Sequence, residues 1–290
     1  SVAAAAAPGA NTTATDNDIT ILGKVSKTTA AAAADSAKAT AAAINAYEAD
    51  TGVKAEAKTY AILAANTTSA TGSFTIGGGG TTTSTGNFTW SNTDVTAAVK
   101  AINAISQYTG VTAQSFNSGT QVLLLDADGD DITIDNDTAA TATTVTAALH
   151  DGSAVRASAA GGVITLAAST GNHATRVSGT LELYSNDSFQ VTMGGTAGAG
   201  YFAASTVASL NATSAIDLKT QNGASSAIRV IDGAIEKISS MRAELGAIEN
   251  RLSHTISNLM NVSEQTSNSR SLIQDANFAV ESSNLSKAQV

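Results

Sequence analysis

The stretch from Met241 to Leu259 reads MRAELGAIENRLSHTISNL. It lies inside a longer series, Ile228, Ile231, Ile235, Ile238, Met241, Leu245, Ile248, Leu252, Ile256, Leu259 and Val262, whose members are three or four positions apart. On an α-helix that spacing gathers them into one heptad-like seam, so the pattern predicts a single helix over Ser226–Val262 with Thr220 or Asn222 as its cap. Its 37 residues would rise roughly 55 Å. Burying each large seam side chain is worth about 1.5–3 kcal/mol, so the stripe requires a partner, and no second helical stripe of that length is visible in the sequence.

Upstream the periodicity changes. Residues 18–204 are rich in Thr, Ser, Gly and Asn, with β-branched alternation broken by glycine clusters such as Gly77–Gly80, a composition of short strands and turns. A repeat lies within it. Ala43-Ile44-Asn45-Ala46 and Thr51-Gly52-Val53 return as Ala101-Ile102-Asn103-Ala104 and Thr109-Gly110-Val111, at a constant offset of 58 residues. Each copy has an alanine-rich amphipathic stretch, Thr29–Asp50 or Thr93–Gln107, stopped by a glycine suited to positive φ and followed by strands, in the second copy Val111–Phe116 and Gln121–Leu125. The reading is a strand-helix-strand-strand unit, in copies at about 29–76 and 87–136 and a weaker one at about 145–193, packed side by side.

The fold class expected is therefore α+β. Residues 1–17 read as a mobile leader or a cut end, 18–204 as an outer domain, 205–270 as the long-helix segment, and 271–290 as the start of a further helix. Charge follows the same division. Residues 1–204 carry 16 acids and 8 bases, whereas 205–290 carry 8 acids and 7 bases, so the first part repels its copies and the second can pack against them. The net charge of -9 argues against nucleic-acid binding. No apolar run reaches the roughly 18 residues of a membrane span. Without cysteine there is no disulfide and no thiolate metal site.

Candidate chemistry is sparse. Asp126, Asp128, Asp130 and Asp137 alternate like an oxygen-ligand calcium loop, but Asp131 occupies the position that needs glycine and Ile132-Thr133-Ile134 replaces the helix. A solvated hairpin turn between Val122–Leu125 and Ile132–Ile134 is the stronger reading, with Asp135 beside it. Gly198-Ala199-Gly200-Tyr201-Phe202-Ala203 fits a dinucleotide pattern, with Asp217 near the ribose spacing, yet lacks the second parallel strand. His150, His173 and His254 are scattered, and no catalytic constellation surrounds them. No cofactor is expected. Trp90 reads as the anchor of a small core, with sugar stacking by Trp90 and Tyr60 as the sharper alternative.

The run Val230-Ile231-Asp232 to Ile238, MRAELGAIENRLSHTISNL, Ser269-Arg270-Ser271, Asp275-Ala276-Asn277-Phe278-Ala279 and the closing NLSKAQV resemble the carboxy-terminal region of bacterial flagellins. The paired AINA and TGV elements resemble a motif of flagellin and hook-associated outer domains. The resemblance implies a non-enzymatic filament subunit, exported unfolded with the help of a chaperone and a cap, extracellular, and polymerising with copies of itself. It also implies that the seam packs on helices, and that the sequence is shortened at both ends. A cell-surface homologue whose outer domain binds a glycan is the alternative.

Overall fold

The computed structural model describes residues 5–10, 18–30, 35–66, 69–137, 143–150, 155–157, 163–167, 171–194, 205–210, 216, 218, 221–274 and 277–290. In chain order the elements are β1 (Ile19–Leu22), β2 (Ser26–Thr29), α1 (Ala37–Asn45), α2 (Glu48–Thr51), β3 (Val53–Ala65), β4 (Ala70–Gly72), β5 (Phe74–Gly77), β6 (Thr83–Ser84), β7 (Phe88–Trp90), α3 (Thr96–Ala104), α4 (Ser106–Thr109), β8 (Val111–Phe116), β9 (Gln121–Asp126) and β10 (Ile132–Asn136). Then come β11 (Thr143–His150), β12 (Val155–Ala157), β13 (Val163–Leu166), β14 (Ala174–Val177), β15 (Thr180–Ser185), β16 (Gln190–Met193), β17 (Ser205–Val207), α5 (Gln221–Gln274) and α6 (Phe278–Gln289). The class is α+β.

The repeat is a hydrogen-bonded module. Asn45 follows the buried Ile44 at the end of α1, and its amide donates to Ala55 O at 2.9 Å and accepts from Ala55 N at 2.7 Å. Asn103 makes the same pair with Ala113, at 2.8 and 2.7 Å. Thr51 and Thr109 each donate to a carbonyl four residues back and accept from the amide two residues on. Between helix and strand the chain reverses at Gly52 (φ 71) and Gly110 (φ 77), where a Cβ would be strained. Short polar side chains thus tie each helix to the strand that follows, and the spacing of those ties explains why the offset never drifts.

Each module roofs its own core. Ile44, Ala41 and Ala37 of α1 pack with Ile19, Ile21, Val53, Ala55 and Val191. Ile102 and Ala98 of α3 pack with Phe74, Trp90, Leu63, Val111, Leu124 and Ile134. Strand β3 serves both: Val53, Ala55 and Ala57 belong to the first core, and Ala61, Leu63 and Ala65, on the same face by the period-2 rule, to the second. The copies also share a sheet, because β3 pairs antiparallel with β9, which pairs with β8.

Several expectations are corrected. Strands β9 and β10 are not a hairpin: β9 lies in the seven-stranded sheet, and β10 pairs with β5 and β14 in another. Asp126–Asp131 is therefore a crossing between sheets. In the region of the weaker third copy, β11 to β16 are all strands and the described residues contain no helix. Within the expected leader, Ala5 bridges Ala174 on β14 and Gly9 O accepts from Arg176 Nε at 2.6 Å. The first of two compact units runs from Ser1 to Gly233, past the expected boundary at 204, because β17 pairs with β16 and the first turns of α5 pack with the sheets. The second unit is Ala234–Val290.

Candidate assembly interface

Helix α5 exceeds the expected Ser226–Val262 at both ends, spanning 54 residues. Asn222 lies inside it, and Thr220 falls outside the described residues. No proline occurs in it, so no position removes a backbone donor, and the i to i−4 ladder continues through the polar Ser263–Ser271. After Gln274 the chain restarts as α6, whose cap Asn277 accepts from the amides of Ala279 and Val280. Every seam member from Ile228 to Val262 is exposed, from 45% at Ile231 to 64% at Leu245. An apolar stripe of this kind has one chemical competence, the burial of another apolar stripe. Leu245, Ile248, Leu252 and Ile256, with Glu249, Ser253 and Ser257 beside them, share one open stretch of that surface.

The root of α5 is built differently. Ala227 is buried, and Arg229 donates through Nη1 to Glu56 Oε2 at 2.9 Å and through Nη2 to both oxygens of Glu182 at 3.0 Å. Its guanidinium lies 5.9 Å from the centre of the Tyr184 ring. Burial pushes the Glu56 carboxyl upward, but Lys58 and Arg229 outweigh that and hold it below its ordinary value. The sequence reading missed Arg229. Nothing in its spacing sets it apart from Arg242, Arg251 and Arg270 on the same helix, and its partner Glu56 lies 173 residues away.

The other candidates resolve into structure. Asp126 is 2% exposed, and its Oδ1 accepts from the amides of Asp128, Gly129 and Asp130 at 3.0–3.3 Å; burial pushes its carboxyl above the ordinary value. Asp128 and Asp130 bind Lys38 Nζ at 3.2 and 2.7 Å, and Asp137 accepts from Thr75 Oγ1. Asp135 holds His173, and Asp131 pairs with Arg176. The proposed calcium ligands thus face different partners, and among the described residues no group of three acids or histidines gathers around a metal position. Gly78, Gly79 and Gly80 press on Asp126, Asp130 and the Tyr108 carbonyl, where any Cβ would overlap. That close approach accounts for the glycine run.

Trp90, 3% exposed, is enclosed by Phe74 at 5.5 Å and Phe88 at 6.1 Å between ring centres. Tyr60 is 8% exposed and packs with Ile62 and Leu123. Neither ring offers a free face to a sugar, which corrects their assignment as glycan contacts. His254 is exposed on α5. Residues 198–203 and Asp217, of the dinucleotide pattern, lie outside the described residues, as does the side chain of His150.

Residues 228–290 match the family described as the bacterial flagellin C-terminal helical region. The chain is 35% identical over 190 residues to the B-type flagellin of Pseudomonas aeruginosa, covering 65% of this chain and 38% of that protein. It is 47% identical over 75 residues to polar flagellin C of Vibrio parahaemolyticus, and 45% over 75 to flagellin A of Vibrio cholerae, each covering 26% of this chain and 20% of the relative. The chain thus spans less than two fifths of the length of these relatives. The chain is similar to bacterial flagellins, and the residues that match their C-terminal helical region hold most of α5 and all of α6.

Proposed function

We propose that this chain, which carries the flagellin C-terminal helical region, serves as a subunit of a bacterial flagellar filament. Its role is structural and not enzymatic: it is exported unfolded, meets chaperone and cap on the way, and assembles outside the cell with other flagellin subunits. The observation that carries this reading is the exposed seam inside the matched residues, since Ile235 to Val262 are 45% or more accessible at every seam position. Flagellins are filament subunits, a task that this apolar surface suits. Among the described residues no helix is long and apolar enough to cross a membrane. The glycan-binding alternative loses its two aromatic candidates to the core.

In this reading the sheet-rich unit faces solvent, and α5 beyond Gly233 packs with α6 in the filament wall. The test is a graft. Residues 228–290 replace the matching segment of the Pseudomonas aeruginosa B-type flagellin, and the cells are viewed by negative-stain microscopy and scored for swimming. Filaments and motility are expected, and both should vanish when Leu245→Asp and Ile248→Asp are added. Bare cells with the unaltered graft, or normal filaments with the two aspartates, would overturn the reading.

A further inference from the structure

Strands β3 and β15 pair antiparallel with Glu56 directly opposite Glu182, Lys58 opposite Thr180 and Lys54 opposite Tyr184. Two carboxylates facing each other across a strand pair repel and weaken it. Here the cation between them comes from neither strand. Arg229 of α5 forks over the pair, with one nitrogen on Glu56 at 2.9 Å and the other on Glu182 at 3.0 Å. Its side chain is only 19% exposed, so the fork is drier than a surface ion pair. Lys58 takes the remaining Glu56 oxygen at 2.9 Å. For Glu182, Arg229 is the cation in contact among the described residues. Tyr184 walls the site, and Gly233, one turn on, leaves room for the Asn186 side chain that a Cβ would strike.

We propose that Glu56 and Glu182 form an anionic socket for Arg229, which makes the closing of β3 on β15 and the docking of the first turns of α5 a single cooperative event. The strand pair carries a charge conflict that its own residues leave half compensated, and the helix supplies the missing cation. Arg229 is thus a positioning residue that couples the sheet to the base of the long helix. The coupling lies wholly within the unit Ser1–Gly233 and does not depend on filament formation.

The test is amide hydrogen exchange on the monomeric full chain, read by mass spectrometry over residues 180–185 and 221–233. In Arg229→Gln, exchange should rise about tenfold in both segments together, because each has lost its counterpart. Adding Glu182→Gln removes the repulsion and should return most of the protection to 180–185. That rescue separates a charge socket from mere packing. A single variant that fails to fold while the double variant folds is the same rescue in stronger form. The proposal is overturned if Arg229→Gln leaves 180–185 within about twofold of the parent, or if the double variant is no better than the single.

Discussion

Ile44 on α1 and Ile248 on α5 have the same side chain at the same kind of position, the apolar stripe of a helix. One is 0% exposed and the other 51%. The difference is length. Helix α1 has 9 residues, too short to stand alone, and exists because Asn45, Gly52 and the face of β3 hold it down. Helix α5 has 54 residues, so its backbone ladder sustains it while its stripe stays open. The unit with small cores uses its apolar residues to define one fold, and the helical unit keeps them available for association. Where an isoleucine acts in this chain depends on what the backbone beneath it already supports.

The contrast can be broken by deletion. Phe74→Ala and Ile102→Ala, at side chains with no exposure, should cost about 3–5 and 2–5 kcal/mol in urea unfolding of the sheet-rich unit. Ile248→Ala on α5 should change it by less than about 0.5 kcal/mol. Comparable losses at Ile102 and Ile248 would end the distinction. Gly80→Ala, which drives a Cβ into the Tyr108 carbonyl, should cost about 1–3 kcal/mol and displace the glycine run from α4. Asn45→Ala and Asn103→Ala each leave a donor and an acceptor on β3 or β8 unmatched and should cost about 1–3 kcal/mol, with similar values at the two sites. A large loss at one and none at the other would show the modules to be unequal. The smallest effect belongs to Leu245→Asp with Ile248→Asp in the isolated chain, where circular dichroism and melting should barely move. A marked loss of helix there would mean that the stripe already has a partner within the chain.

What could be read in advance was whatever is local. The seam announced α5 through spacing alone, and Gly52 and Gly110 marked the helix ends because a reversal there needs positive φ. Strands β8 and β9 fell within a residue of expectation, since apolar alternation between turns is a short-range pattern. Sheet membership was not legible. The runs Val122–Leu125 and Ile132–Ile134 look like two arms of a hairpin, and nothing within them says that β10 seeks β5 and β14 instead. Burial of Tyr60 and Trp90 depends on the same long-range pairing, so sugar stacking stood as an alternative beside the core reading of Trp90. Of the site, the stripe was visible and its anchor was not, because Arg229 and Glu182 make a fork between residues 47 positions apart that share no periodicity.

Strand β3 has 13 residues and floors two cores in succession, so neither core can melt while the other keeps its half of the strand straight. Heating should therefore give one endotherm for the sheet-rich unit, with a calorimetric enthalpy that matches the van't Hoff value, although two separate hydrophobic clusters are dissolving. Thr59→Pro, at the buried point where one core hands over to the other, should turn that one endotherm into two.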